Sequence, residues 1–344
     1  KTVITLSAIR DLMLDSFTVS KVLIIAPLRV ARDTWPAELG KWEHLRHLDL
    51  SVITGTVKER ERALNAKTLL YAINRDNVKW LVEYYTSHGL VWDFDMVVID
   101  ELSSFKSHQS QRFKALRSVR PRVRRIVGLT GTPSSNGLMD LWAEIGILDK
   151  GERLGKFIGR YREAFFKVGA MNPQNGIVFK YVPRVGAEEQ IYARISDITI
   201  SMKALDYLDM PSIVYNRYEV ELSQPERKLY DQLGSDLLIP FVDGDVDAAN
   251  AVALSNKLLQ MANGAVYDEN KAVRRIHNRK LEALEDLIES ANGQNVLIAY
   301  WFKHDRDRIV SYLEAHGYHP ADIRTSEDIS LWNAGSIPVA LIHP

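Results

Sequence analysis

Two adjacent carboxylates, Asp100 and Glu101, close an apolar run, Met96–Ile99, in the stretch M-V-V-I-D-E-L-S-S. A short apolar run broken off by acids reads as a buried parallel strand whose carboxyl end opens into a site. Ligands of open α/β sheets sit beyond such ends. Two carboxylates there need a partner, because unpaired buried charge is costly. Mg²⁺ and a water to be activated would supply it, one acid ordering the ion and the other orienting the nucleophile. The same residues also fit a plain strand followed by an acidic turn. Further on, Arg125–Asn136 (R-I-V-G-L-T-G-T-P-S-S-N) reads as a second strand ending in Thr130-Gly131-Thr132-Pro133. Small hydroxyls and a glycine there let the backbone approach a neighbouring strand tip.

With these residues in this order, the chain resembles the Swi/Snf-type helicase-like ATPases of helicase superfamily two. Val98-Ile99-Asp100-Glu101 is similar to their D-E-x-H box and Leu129–Asn136 to their L-T-G-T-P-x-x-N motif; Ser103 stands where the family often has His. Lys1-Thr2 precedes Val3–Leu14, an amphipathic helix with Ile4, Ala8, Ile9 and Leu12 on one face. Lys-Thr at a helix start matches the tail of a phosphate-binding loop, G-x-x-x-x-G-K-[ST]. The resemblance implies that Lys1 and Thr2 are that tail. Lys1 then binds the phosphates of ATP, Thr2 and Asp100 hold Mg²⁺, Glu101 orients the attacking water, and Thr130, Gly131 and Thr132 couple nucleotide state to movement.

The elements that must position these groups alternate. Lys21–Pro27, Leu50–Thr54 and Thr68–Asn74 read as further strands, with helices after Pro27 (containing Trp35 and Trp42), at Lys58–Arg62, and over Asn77–Tyr85. This pattern predicts a parallel α/β lobe, which a RecA-like fold satisfies. By resemblance, Ala26–Val30 is motif Ia and the segment around Asn74 is motif Ib, so Arg29, Asn74 and Arg75 are candidate nucleic-acid contacts; a helix-start cation and turn chemistry explain them equally. Between Lys106 and Arg125 stand eight Lys or Arg residues and no acid: Lys106, Arg112, Lys114, Arg117, Arg120, Arg122, Arg124 and Arg125. A solvated helix mixes signs. A one-sign run on a neutral protein is a candidate phosphate-binding surface that positions a duplex without reading bases, although a merely basic helix face would look the same. No aromatic ladder interleaves it, which disfavours single strands.

The 344 residues are 46% hydrophobic and 26% charged, with formal net charge +0 and no cysteine. That is a globular composition without disulfides or thiolate metal sites, and it fits a reducing cytoplasm. No apolar run approaches a membrane span. Both ends read as cuts through something longer, with motif V broken off at His343-Pro344 and motif VI, with its arginine finger, missing; residues 1–344 alone are therefore expected to hydrolyse ATP poorly.

Gly137–Leu148 reads as a helix closing the first lobe. From Asp149 to about Tyr215, glycines and prolines punctuate aromatic and basic segments, where family members carry helical protrusions. Tyr161, Phe165, Phe166 and Tyr181 read as core of that protrusion. Ile200-Ser201-Met202 upstream of Asp209-Met210-Pro211 lacks the family's arginine pair. Val214–Leu222 reads as a strand, Gln224–Leu233, Ala248–Ala262, Lys280–Ser290 and Asp305–His316 as helices, and Asn295–Tyr300 and Ile337–Ile342 as strands. The expected architecture is α/β, with two RecA-like parallel-sheet lobes, helical protrusions and an incomplete second lobe: residues 1–148, 149–215 and 216–344. The resemblance implies a DNA-dependent ATPase, a monomeric translocase on double-stranded DNA, with single-stranded DNA or RNA less favoured. A strand-separating helicase and a non-catalytic nucleic-acid-binding scaffold are the alternatives.

Overall fold

The computed structural model describes residues 1–131, 137–171, 176, 178–202, 213–236, 238–239, 246–247 and 251–343. The chain divides into two compact units, residues 1–210 and 211–344.

The first unit begins α1 (Thr2–Arg10), β1 (Val22–Ala26), α2 (Trp35–Lys41), β2 (Leu50–Ile53), α3 (Val57–Leu64) and β3 (Leu70–Asn74). It continues α4 (Val78–Ser87), β4 (Met96–Asp100), α5 (Gln111–Val119), β5 (Arg125–Leu129) and α6 (Leu141–Asp149). The five strands form one parallel sheet in the order β2-β3-β1-β4-β5. Side chains alternate across its faces, as the pleat requires. Leu23, Ile25, Tyr71, Ile73, Val97 and Ile99 pack into one core with residues of α4, α5 and α6. Val22, Ile24, Leu70, Ala72, Met96 and Val98 pack into another with residues of α1 and α2. Burial on both sides is why the strands read as unbroken apolar runs.

The first helix buries a different stripe from the one expected. Ile4 is 61% exposed and Ala8 is exposed, whereas Leu6, Ile9 and Met13 enter the core. Spacings of three and four residues suit both stripes, and the sheet selects the one continuing through the wider turn Asp11–Asp15. Trp42 lies just beyond α2. After α6 come α7 (Ile158–Phe165), an antiparallel hairpin of β6 (Phe166–Met171) and β7 (Val178–Pro183), and α8 (Ala187–Ile195). The expected helical protrusion thus contains a β-hairpin. Tyr161, Phe165 and Phe166 are buried in the same core as α5 and α6, with Tyr181 packed against it.

The second unit runs α9 (Gln224–Asp236), β8 (Leu238–Ile239), β9 (Val246–Asp247), α10 (Ala251–Ala262), β10 (Ala265–Tyr267), β11 (Val273–Arg275) and α11 (Arg279–Ser290). Then come β12 (Val296–Ala299), α12 (Lys303–Ala315), β13 (Ala321–Asp322), α13 (Ser326–Asn333) and β14 (Val339–Ile342). Strands β12, β14 and β13 form a parallel sheet in that order, packed on Leu281, Ile288, Ile309 and Leu313. As an outer strand of this sheet, β12 leaves Leu297 48% exposed. The strand expected over Val214–Leu222 is absent: residues 213–223 form no ladder, and Val214 and Tyr215 are 75% and 89% exposed. Alternation gave the right period there, but no neighbouring strand pairs with it. Asp209-Met210-Pro211 and Pro344 lie outside the described residues.

Candidate active site

The carboxyl ends of β4 and β5 lie side by side, with Asp100 paired in register to Leu129. One residue past Leu129, the Thr130 carbonyl accepts a hydrogen bond from Lys1 Nζ at 2.5 Å. The same ammonium lies 3.8 Å from where a Cβ would sit on Gly131, so the glycine leaves it uncrowded. Neighbouring strands are about 4.8 Å apart, which sets the Lys1 ammonium at the sheet edge where Asp100 ends. The Lys1 carbonyl accepts from Thr5 N (3.0 Å) and Thr5 Oγ1 (3.1 Å), anchoring it at the amino end of α1. Thr2 is the first helical residue, where free amide groups and the helix dipole favour anions.

Asp100 is half-buried and held by two donors. The indole Nε1 of Trp35 donates to its Oδ2 at 3.1 Å, and the Glu101 amide donates to Oδ1 at 3.2 Å. Trp35 is fully buried on α2, and a buried indole N–H requires an acceptor. Sequence reasoning placed Trp35 in a helix and missed this role; the demand of a core tryptophan for an acceptor was the available signal. Glu101 takes the left-handed conformation, φ 57° and ψ 65°. That is uncommon and strained for a residue with a side chain, and here it breaks the strand direction and leaves the carboxylate exposed. Ser103 Oγ donates to Glu101 Oε2 at 3.4 Å. The turn is seated by Leu102, buried against β5: a Cβ on Gly128 would fall 2.7 Å from Leu102 Cδ2. Gly128 is therefore needed where the acidic turn packs.

These residues fit a magnesium-bound nucleotide. Mg²⁺ takes one or two carboxylates and otherwise keeps phosphate and water oxygens. Each Asp100 oxygen retains accepting capacity beyond its single donor. Among the described residues, no three His, Cys, Asp or Glu side chains gather as a protein-only metal cage. Thr132 lies outside the described residues, as do Pro133 and Asn136.

The candidate nucleic-acid residues separate. Arg29 is exposed just past β1. Asn74, paired to Ala26 across the sheet, is only 8% exposed and its Oδ1 accepts from Asn77 Nδ2 at 2.5 Å, which is turn chemistry. Arg75 begins the short turn that follows and is half-buried. Within the basic run, the fold brings in acids that the local sequence lacks: Lys106 lies 3.8 Å from Asp140 and Arg112 3.2 Å from Asp76. Lys114 and Arg117 are exposed on α5. Arg120 is no surface cation. It is 8% exposed and donates to the carbonyls of Ile147 (2.7 Å), Leu148 (2.5 Å) and Val123 (2.8 Å), capping the carboxyl end of α6, whose last carbonyls lack helical partners.

One buried acid escaped sequence reasoning. Glu144 on α6 is 1% exposed, and neither carboxylate oxygen has a hydrogen-bond partner. Burial, reinforced by Asp140 and opposed by Lys106, pushes it up to about 8. The signal was a lone acid inside L-W-A-E-I-G-I-L. No helix among the described residues is long and apolar enough to cross a membrane.

Comparison with known proteins agrees with this geometry. The model of the SNF2-related domain matches residues 1–153. Protein p41 of Acyrthosiphon pisum secondary endosymbiont phage 1 is 37% identical over 351 residues, covering all of this chain and 75% of the phage protein. An uncharacterised ATP-dependent helicase of Mycoplasma genitalium is 26% identical over 291 residues, covering 80% of this chain and 25% of that protein. Among solved structures, the Sulfolobus solfataricus SWI2/SNF2 ATPase core in complex with double-stranded DNA aligns over all of this chain and 71% of its own, at 19% identity and a TM-score of 0.48. The chain belongs to the Swi/Snf-type family of helicase superfamily two.

Proposed function

We propose that this chain is the core of a DNA-dependent ATPase that couples hydrolysis to movement along double-stranded DNA. The observation that carries the reading is the Lys1 ammonium at the tip of β5, one residue beyond the strand partner of Asp100. A cation at a helix start beside a strand-end carboxylate is the arrangement phosphoryl transfer uses, where catalysis is positioning plus charge stabilisation. Lys1 faces the β- and γ-phosphates of ATP. Thr2 and Asp100 hold Mg²⁺, which when bound neutralises charge on those phosphates. Glu101, exposed beyond the strand, orients the attacking water in line with the γ-phosphorus; its oxygen bonds to phosphorus as the bond to ADP breaks. Trp35 keeps the Asp100 carboxylate aimed outward. Thr130 and Gly131 border the same edge, so loss of the γ-phosphate changes what Lys1 touches and is felt in β5. Arg29, Arg75, Lys114 and Arg117 are the DNA-facing cations of this reading.

The deciding experiment measures phosphate release with and without duplex DNA, for wild type and Glu101→Gln. The expected result is DNA-stimulated release in wild type, and an E101Q variant that still binds ATP while turnover falls at least about a hundredfold. Nucleic-acid-dependent function unchanged in E101Q would instead support a scaffold. Strand displacement by wild type would favour unwinding over translocation on an intact duplex.

A further inference from the structure

A second basic site lies at the opposite end of the first unit's sheet. A pocket of about 170 Å³ opens between α5, α6 and the loop after α6. Its floor includes Phe113, Trp142 and Ile147, and its rim carries Arg117, Lys150 and Lys156. Arg120, already committed to the α6 carbonyls, adds a fourth positive charge at its wall, and no acid lines it. The three rim cations are exposed, and no carboxylate among the described residues pairs with them. Arg120 and Pro121 precede the amino end of β5, whereas Lys1 and Asp100 stand at the carboxyl ends. Five residues of strand put the two sites about 15 Å apart.

Two details mark this as more than a basic surface. Lys150 sits at the end of α6 with φ 60° and ψ 23°, a place where glycine is favoured; its left-handed backbone carries an ammonium at the rim. Gly146 stands inside α6, where glycine costs about 0.5–1 kcal/mol relative to alanine. A Cβ there would meet nothing within 4 Å, so packing does not demand the glycine, and any side chain would project into open space.

We propose that this pocket holds a phosphate of a bound nucleic-acid backbone. The volume is below the roughly 300 Å³ at which small-molecule sites begin, so a nucleotide does not fit but a phosphodiester does. Converging cations without an acid select an anion, and the apolar floor accepts the flanking sugar. Lys114, three residues before Arg117 on α5 and so its neighbour on the helix surface, extends the positive track outward, as a polymer requires and a free ion does not. The inference rests on the nucleic-acid reading above.

The test uses anisotropy of a fluorescent duplex DNA across a salt series, with wild type, Arg117→Ala/Lys156→Ala and Gly146→Leu, and Gly146→Ala as control. Thermal melting checks that each variant folds. R117A/K156A should weaken binding roughly tenfold and lower the slope of log affinity against log salt by about two, because each lost phosphate contact removes about one released counterion. G146L keeps every charge and should weaken binding by filling the pocket, whereas G146A should bind as wild type does. Wild-type affinity and slope in both R117A/K156A and G146L would overturn the pocket while leaving DNA binding intact. A wild-type protein that binds no duplex at low salt would overturn the nucleic-acid reading itself, and with it this source of the phosphate.

Discussion

Replacing Glu144 by Gln tests whether the first unit encloses a lone carboxyl group. The side chain is 1% exposed and unpartnered, and its pKa is raised from an ordinary 4.5 to about 8. In the unfolded chain the group ionises near the ordinary value. Between that pH and about 8 the folded state therefore holds a proton that the unfolded state has released. Stability contributed by this group is complete below the lower value and is lost as pH rises through the upper one, after which the curve flattens. At about 1.4 kcal/mol per pH unit, the interval corresponds to a ceiling of roughly 5 kcal/mol, which water entry and relaxation would reduce. The amide of E144Q is also buried, but its cost does not vary with pH. Urea unfolding of both proteins from about pH 5 to 9, followed by circular dichroism, reads the difference directly. The wild-type advantage should shrink by at least about 2 kcal/mol with rising pH and level off above about 8. Parallel stability curves would show that Glu144 finds water or a partner, and would refute the reasoning.

Three further outcomes follow from the same geometry. Gly128→Ala should destabilise the first unit by about 1–3 kcal/mol through overpacking against Leu102 and should lower turnover; Leu102→Ala in the same chain should recover part of the loss in a double-mutant cycle. Trp35→Phe keeps the ring but removes the donor to Asp100, so the magnesium dependence of nucleotide binding should weaken, with about 1 kcal/mol lost in unfolding experiments. Arg120→Ala strips three carbonyls of their donor and should cost roughly 3 kcal/mol, far more than Arg117→Ala, which should leave the melting temperature unchanged.

The parallel sheet of the first unit was legible because buried strands carry continuous apolar runs, as Val22–Ala26 and Met96–Ile99 do. The acidic turn was legible for the complementary reason that Asp100 and Glu101 interrupt such a run. What could not be read were features set by distant partners. Periodicity admitted two stripes on α1, and only packing on Ile24 and Val98 chose between them. Arg120 looked like its seven basic neighbours until α6 supplied three carbonyls from elsewhere in the chain. Lys106 and Arg112 gained acids from Asp140 and Asp76, which lie outside the run. Val214–Leu222 has the alternation of a strand, but alternation does not provide a partner. Trp35 and Glu144 carried local signals, a buried indole N–H and a lone acid among apolar residues, which become interpretable only once burial is known.

The central claim is that Lys1, Thr2 and Asp100 together bind a magnesium-bound nucleotide at the carboxyl edge of the sheet. Calorimetric titration of ATP with and without Mg²⁺, into wild type and Asp100→Asn, tests it most directly. The account predicts Mg²⁺-strengthened binding in wild type, with most of that strengthening lost in D100N. Equal Mg²⁺ dependence in the two proteins would contradict it.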